Sequence, residues 1–470
     1  MMNEDVAFAG IAALARLQTN KKISSLELTD LYLSRLAEFG PVYGALVTLM
    51  PERARSEAKR ADRERAAGRV RGPLHGIPYG VKDLLAAVGA PTTWGAAPYR
   101  RQRFAYDATV VRKLQAAGAV LTAKLAMVEL AGGFGYGQAD ASFTGPGRTP
   151  WNRAFWSGGS SSGSAAAVAA GLVAFAIGSE TSGSILFPAT SCGITGLRPT
   201  YGRVSRHGAM ALCWTLDKLG PMARSAADTE TVLRAIAGAD ENDPTAVDRP
   251  FGTPGRRPRI GVLAKATSKT MPAVKTNFEA SLNVLREFAD VVEDVALPRL
   301  PYGAAVETIV RAEGAAAFRD LIESGRSREL RAVDDRTGGY VGYTTLAVDY
   351  IDALRQRRFM IEAFRRAFGG FDAIVAPTLH TLAYPVDVPF ERAYPKYRGG
   401  VSLIAPGNLV GVPAVGLPNG FGDNGLPTGL SLLGGAFGEA KLTAIARRYQ
   451  ARTAHHRKHP MLVTASGAEK

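Results

Sequence analysis

Strand-like apolar runs alternate with helical segments along the first half of this chain. Residues 107–117 have a helical pattern and 118–123 form a short apolar run, and 165–170 and 173–178 repeat that order. Such alternation is typical of α/β proteins, in which helices connect the strands of one sheet and cover it. We therefore expect an α/β fold with a sheet at its core.

The regions on either side add further elements. Ser24 and Glu27 form a capping-box pattern that predicts an N-terminal helix, residues 45–50 are predicted to be a strand, and 51–68 a charged helix. A segment rich in Pro, Gly and Asp predicts a long loop over 243–258.

After this loop the pattern resumes with a strand at 259–263, a helix at 274–288 and a strand at 371–377. We predict one domain over 1–470. Its expected parts are N-terminal helices (1–70), a catalytic core (71–240), a semi-independent lobe (259–400) and a C-terminal return to the core (401–460).

The composition fits a globular protein with a sizeable core, since 46% of the 470 residues are apolar. No uncharged apolar run reaches the length of about 18 residues that a membrane helix needs. Acidic residues follow Met1 and Met2 where a secretory signal carries basic ones. We expect a cytoplasmic protein with no membrane partner. Two cysteines, Cys192 and Cys213, provide neither a disulfide framework nor a zinc-ligand spacing.

The net charge of +15 raises the question of nucleic-acid binding, because basic faces attract phosphate. The basic residues are dispersed, however, and where they cluster, as in 52–60, they alternate with acids at helical ion-pair spacing. We interpret the charge as a solvated surface and expect no nucleic-acid partner.

Two glycine-rich segments place polar side chains where catalysis is feasible. In 76–83, Lys82 ends an apolar stretch, so that it is either a desolvated base with a lowered pKa or a surface lysine after a turn. In 158–168, a Gly-Gly-Ser-Ser turn containing Ser160 opens an alanine-rich helix. That turn is either a site with several hydroxyl and N–H groups, a simple helix cap, or a phosphate-cradling loop, although the Walker lysine is missing.

A third segment, 178–189, follows a buried strand and places Ser184 on a glycine-rich turn at the strand's carboxyl end. Ligands bind at such ends in α/β sheets. The backbone N–H groups of Thr181, Ser182, Gly183 and Ser184 are candidates to stabilise an oxyanion. A polar turn without any chemistry is the alternative for this segment taken alone.

Together the three segments resemble the amidase-signature family. The match consists of Gly-Val-Lys-Asp at 80–83, the run Gly-Gly-Ser-Ser-Ser-Gly-Ser-Ala-Ala-Ala-Val from Gly158, and the turn around Ser184, and it continues through 192–205 and 217–225. The resemblance covers nearly the whole chain. It implies a large, mixed, twisted β-sheet with helices on both faces.

The resemblance also implies the roles of the catalytic residues. Ser184 is the nucleophile, Ser160 is a bridging serine held by a cis peptide bond, and Lys82 is the base. This chemistry needs no cofactor and no metal. The expected partner is a small-molecule amide substrate, and the expected assembly is a monomer or a homodimer.

The substrate pocket is the least defined part of the expected site. The expected pocket residues are Leu130, Ala131, Gly132, Gly133, Leu186 and Trp214. Leu186 stands where the family usually has Arg, and a pocket without that cation has nothing to pair with a substrate carboxylate. This departure predicts neutral, partly apolar acyl groups.

Two functions and one non-catalytic alternative follow from this interpretation. The first is a stand-alone amidase that cleaves small or aryl-substituted amides, with anilides, esters or carbamates open to the same acyl-enzyme route. The second is the glutaminase (A) subunit of a tRNA-dependent amidotransferase. A scaffold that has kept the fold without the chemistry is disfavoured by the intact set of Lys82, Ser160 and Ser184.

Overall fold

A computed structural model describes residues 2–252 and 257–464. Within these residues eleven strands form one sheet, in the order β1-β3-β2-β4-β6-β5-β10-β11-β9-β7-β8. The strands are β1 (Leu46–Leu49), β2 (Pro78–Lys82), β3 (Val120–Leu125), β4 (Phe175–Glu180), β5 (Thr195–Arg198), β6 (Lys218–Ala223), β7 (Arg259–Leu263), β8 (Asp290–Val295), β9 (Ala373–Pro377), β10 (Ala414–Phe421) and β11 (Pro427–Leu433).

Helices and short 3₁₀ turns connect these strands. The helices are α1 (Met2–Ala7), α2 (Ile11–Thr19), α3 (Ser25–Phe39), α4 (Pro51–Ala66), α5 (Thr109–Ala116), α6 (Ser162–Ala169), α7 (Leu186–Ser191), α8 (Ala226–Ile236), α9 (Pro272–Arg286), α10 (Tyr302–Ala317), α11 (Arg319–Glu323), α12 (Val333–Gly342), α13 (Ala347–Phe368), α14 (Phe390–Ala393), α15 (Ile404–Val410) and α16 (Glu439–Arg452). The 3₁₀ turns are Ala97–Tyr99, Glu129–Gly132, Arg326–Glu329, Pro395–Tyr397, Asp423–Gly425 and His455–Arg457.

The centre of the sheet contains both parallel and antiparallel pairs. Strand β2 runs parallel to β3 and to β4, whereas β4 runs antiparallel to β6. Because β2 and β4 point the same way, their carboxyl ends meet at one edge of the sheet. Lys82 ends β2 there, and Ser179 lies next to the end of β4.

Apolar side chains are buried on both faces of the sheet. Phe175 and Ile177 join the largest apolar cluster of the protein. Ala176 lies between them in β4 and belongs to a second cluster, which contains the alanines of α6. Successive strand residues point to opposite faces, so the two clusters lie on opposite sides of β4. The expected mixed sheet with helices on both faces is confirmed.

Most of the expected elements are present with small shifts. The Ser24–Glu27 capping box is formed, with Ser24 Oγ accepting from the Glu27 N–H. The strands expected at 118–123 and 173–178 are β3 and β4, and each begins two residues later than predicted. Gly118 takes a positive φ of 82° in the turn before β3, which delays that strand.

The expected lobe at 259–400 does not form a sheet of its own. Strand β7 pairs with β8 and β9, and β9 pairs with β11, so these strands extend the central sheet. Strands β10 and β11 lie between β5 and β9 in this sheet. Part of the loop expected at 243–258, namely 253–256, lies outside the described residues. No helix in the described ranges is long and apolar enough to span a bilayer.

Candidate active site

Lys82 is the centre of a buried hydroxyl cluster. Its side chain is fully buried at the end of β2. The Nζ atom donates to Ser160 Oγ at 2.7 Å and to Ser179 Oγ at 2.9 Å. Burial lowers the pKa of Lys82 to about 7, and the carboxylates of Asp217 and Glu180 only partly oppose this shift. An amine with that pKa is available as a base near neutral pH.

Ser160 is held against β4 by its neighbours in the chain. The peptide bond between Gly159 and Ser160 is cis, as the resemblance implies. Ser161 Oγ accepts from the Ser179 N–H at 3.3 Å and donates to the Ser179 carbonyl at 3.2 Å. The Ser161 N–H donates to the Ser184 carbonyl at 3.3 Å. The turn that carries Ser160 is therefore fixed both to the strand of Ser179 and to the turn of Ser184.

Glycine is required in this turn. Gly158 has a φ of 82°, and a Cβ atom there would lie 2.7 Å from the backbone of Pro188. Only glycine allows so close an approach at a positive φ. Gly158 thus allows close backbone contact between this turn and helix α7.

Ser184 lies on the turn between β4 and α7. It is half-buried, whereas Ser160 is fully buried. Within the described part of the chain, the N–H groups of Thr181, Ser182, Gly183 and Ser184 donate no hydrogen bond to other protein groups. Unpaired N–H groups beside a half-buried hydroxyl form the arrangement that an oxyanion requires.

The Glu180 carboxylate holds this turn in place by hydrogen bonds. Its Oε2 accepts the N–H groups of Ile185 at 2.9 Å and Leu186 at 3.0 Å. Its Oε1 accepts from Arg198 Nη1 at 2.9 Å and Asn408 Nδ2 at 2.8 Å. Burial alone would raise the pKa of Glu180, but the Arg198 guanidinium and these hydrogen bonds hold it below its usual value. A carboxylate with a lowered pKa thus fixes the start of α7.

A cavity of about 210 Å³ opens beside these groups. Its polar lining includes Ser179, Thr181 and Asp217 on one side, together with Arg206, His207, Asn242 and Asp243. Asp217 accepts from Thr181 Oγ1 at 2.6 Å and from the N–H groups of Leu212 and Cys213 at 2.9 Å each. The remaining wall is mostly apolar and includes Leu84, Ala131, Ala209, Met210, Leu212, Trp214 and Leu219. Asp217 therefore joins the turn of Ser184 to the loop that carries Leu212 and Cys213.

Comparison with known proteins assigns this arrangement to a family. The sequence profile described as Amidase matches residues 27–443. The chain belongs to the amidase family. It is thus an amidase-signature hydrolase that acts on amide bonds.

The relatives of this amidase are named either amidotransferase subunits or amidases. This amidase is 36% identical to the A subunit of the glutamyl-tRNA(Gln) amidotransferase of Methylococcus capsulatus, across 96% of this chain and 98% of the relative. The solved peptide amidase of Stenotrophomonas maltophilia is 33% identical, with a TM-score of 0.84 over 95% of this chain and 97% of that one. The solved A subunit of the Thermotoga maritima amidotransferase is 28% identical, with a TM-score of 0.79 over 96% of each chain.

Only some of the expected pocket residues of this amidase line the cavity. Ala131 and Trp214 line the cavity, and the Trp214 side chain is 43% exposed. Leu130 is fully buried in the core. Gly133 packs behind the wall, since a Cβ atom there would lie 2.7 Å from Leu212. The neighbouring Gly132 packs against the ring of Tyr136 instead.

The placement of Leu186 corrects an expectation from the sequence. Its side chain is buried in an apolar cluster with Leu263, Ile374 and Leu433, and it does not line the cavity. Helix α7 begins at Leu186 and turns this side chain towards the sheet instead of the substrate. Any argument about substrate charge must therefore rest on other residues.

The sequence indicated no role for Ser179, and it indicated Asp217 as a structural partner and not as a residue of the cavity. Both signals were present, because Ser179 lies in the third glycine-rich segment and Asp217 in a motif shared with the family. What the sequence lacked was the pairing of β4 with β6, which brings the start of β6 next to Glu180. A polar residue at the end of an interior strand was the usable clue.

Proposed function

We propose that this amidase hydrolyses neutral, partly apolar amides through an acyl-enzyme on Ser184. The observation that carries this proposal is the buried contact of 2.7 Å between Lys82 Nζ and Ser160 Oγ, beside the turn of Ser184. A base and a bridging hydroxyl in contact, next to an accessible serine, are the parts that nucleophilic acyl transfer requires.

The proposed route moves one proton along the three residues. Neutral Lys82 takes the proton of Ser160, and Ser160 takes the proton of Ser184 as Ser184 Oγ bonds to the acyl carbon. The free N–H groups of the turn stabilise the resulting oxyanion. The proton returns along the same path to the leaving amine as the carbon–nitrogen bond breaks. Water then repeats the route on the ester, which releases the acid and restores Ser184.

Charge in the cavity supports a neutral acyl group. Arg206 is the one lysine or arginine among the described residues that line it. Its guanidinium lies 3.5 Å from Asp243 and donates to the Trp214 carbonyl, to Tyr201 and to Thr245. A substrate carboxylate entering here would meet a cation that is already paired, and an unpaired buried charge is costly.

The names of the curated relatives favour a second candidate, the glutaminase subunit of an amidotransferase. That function requires charged groups to hold the α-amino and α-carboxylate groups of glutamine. The paired state of Arg206 is the observation against it. We expect the isolated chain to hydrolyse neutral alkyl or aryl amides with a higher kcat/KM than glutamine. A higher kcat/KM for glutamine would replace the first candidate with the second.

Removing the partner of Arg206 tests the charge argument directly. Asp243→Asn keeps the shape of the side chain but leaves the guanidinium without its carboxylate. We expect the ratio of kcat/KM for an acidic acyl group to that for a matched neutral one to rise several-fold. Glu241→Gln is the matched control, because it removes a nearby exposed carboxylate that does not line the cavity. An unchanged ratio in Asp243→Asn would show that acyl groups bind elsewhere.

The pH dependence tests the base. Lys82 must be neutral to accept a proton, and its pKa of about 7 places the change near neutrality. We expect kcat/KM for an amide to fall about tenfold per pH unit below this value and to level off above it. A profile that is flat from pH 5 to pH 8, measured where the fold is intact, would contradict the assignment.

A panel of amide, anilide, ester and carbamate substrates with one acyl group would then define the leaving groups that the route accepts.

A further inference from the structure

Two buried carboxyl groups lie behind the apolar wall of the cavity. Glu129 and Asp335 are both fully buried. Glu129 immediately precedes Leu130 and Ala131, and Asp335 lies in the first turn of α12. The Glu129 carboxyl group lies close enough to act on that of Asp335. None of the steps proposed above uses either of them.

The two groups differ in their hydrogen-bond partners. Glu129 Oε1 accepts the Ala332 N–H at 2.7 Å and Oε2 accepts the Arg331 N–H at 2.8 Å. Asp335 Oδ1 accepts the Phe134 N–H at 3.2 Å. The other oxygen, Asp335 Oδ2, is buried and receives a hydrogen bond from no described residue. Since two carboxylates are both acceptors, a hydrogen bond from Asp335 Oδ2 to Glu129 would require a proton on Asp335.

No cation neutralises the pair. Neither carboxyl group forms an ion pair with any residue in the described ranges. The nearby Arg331 guanidinium is paired with Asp140 at 3.0 Å, and Arg336 Nε donates to the Leu330 carbonyl. Asp334 adds a further negative charge on α12. Burial and the neighbouring Glu129 accordingly raise the pKa of Asp335 well above its usual value.

The pair brackets a stretch of unusual backbone. Leu130 and Ala131 have φ values of 50° and 57°, which non-glycine residues rarely adopt. Such a conformation persists only where the surroundings hold it. Glu129 fixes the residue before this stretch, and the Phe134 N–H bond to Asp335 fixes the chain after it. The same loop reaches the catalytic residues, since the Val128 N–H donates to the Ser160 carbonyl at 3.1 Å.

We propose that Asp335 holds a proton, donates it to Glu129, and with it forms an acid–carboxylate pair that positions the Ala131 wall of the cavity. Glu129 and Asp335 are thus positioning residues that act through the loop 130–133. The role in substrate binding rests on the proposed function, because it assumes that the acyl group occupies this cavity. The protonation of the pair does not depend on any substrate.

The two carboxyl groups should respond differently to replacement by an amide. Asp335→Asn still donates to Glu129 and still accepts from Phe134, so we expect kcat/KM for a neutral amide within about threefold of wild type. Glu129→Gln turns an NH₂ group towards the N–H groups of Arg331 or Ala332, so we expect at least a tenfold loss, mainly through KM. Asp334→Asn, an exposed neighbour, is the matched control and should change neither parameter.

Infrared difference spectroscopy on the substrate-free protein tests the proton itself. Wild type minus Asp335→Asn should show the C=O band of a protonated carboxyl group at neutral pH, and wild type minus Asp334→Asn should not. Absence of the band in the first difference overturns the proposal, whatever the substrate is. A band together with equal losses in Asp335→Asn and Glu129→Gln overturns the positioning role. If no amide is turned over at all, the proposed function fails. The infrared band still tests whether Asp335 is protonated.

Discussion

Ser184→Ala is expected to abolish amide hydrolysis and to prevent covalent labelling by a serine-directed phosphonate. The oxygen of Ser184 forms the proposed acyl-enzyme, and the fully buried Ser160 does not replace it on the turn. Loss of the nucleophile lowers kcat by up to about 10⁶-fold in serine hydrolases. Turnover is measured with a neutral amide, and labelling by intact-protein mass spectrometry.

Ser182→Ala is the matched control for this variant. Ser182 lies on the same turn with an exposed side chain, and its substitution keeps the backbone N–H that we propose for the oxyanion site. We expect labelling to persist in this control at close to the rate of wild type. Full labelling of Ser184→Ala, by contrast, would move the nucleophile to another residue.

Lys82→Met is expected to lower kcat for amides by about 10²–10⁴-fold, the usual contribution of a general base. Methionine fills the buried space of the lysine without its amine. Activated esters should lose less, because their leaving groups need no proton from the relay. Comparing an amide and an ester of the same acyl group separates a base from a structural residue. Equal losses on both would assign Lys82 to structure.

Lys218→Met is a matched control for Lys82→Met, because the two lysines are similar in burial and in pKa. Lys218 is buried at the start of β6, and burial together with the charge of Arg198 lowers its pKa to about 7, as for Lys82. Its Nζ contacts no hydrogen-bond acceptor within the described residues, whereas Lys82 Nζ contacts two serines. We expect only Lys82→Met to remove the rise in activity around pH 7.

The contact of Lys82 with Ser160 was predictable because the three glycine-rich segments together resemble the amidase-signature family, which implies that these residues act as one set. The sequence did not predict that Ser179 would be the second partner of Lys82. That contact depends on β2 and β4 being parallel neighbours, so that residues 97 positions apart meet at one edge. Periodicity identifies strands, but it does not state which strands pair.

The wall of the cavity was harder to predict for a different reason. The left-handed backbone of Leu130 and Ala131 has no signal in residue type, since neither is glycine, asparagine or aspartate. It depends on Glu129 and Asp335, which are about 200 positions apart and lie in segments with no shared motif. Leu186 was misplaced for a similar reason. Its distance in sequence from Ser184 is short, but the first turn of α7 rotates it into the core.

The hydrogen bonds of Glu180 also join segments that are far apart in the order of synthesis. Asn408, in α15, supplies one of these bonds, and Arg198 in turn donates to the Val412 carbonyl at 2.8 Å. A nascent chain that ends before Asn408 already contains Lys82, Ser160 and Ser184, but it lacks this support for the nucleophile turn. The turn of Ser184 is therefore completed by a residue that is synthesised 228 positions after Glu180, so the catalytic segments alone do not contain all the groups that hold this turn.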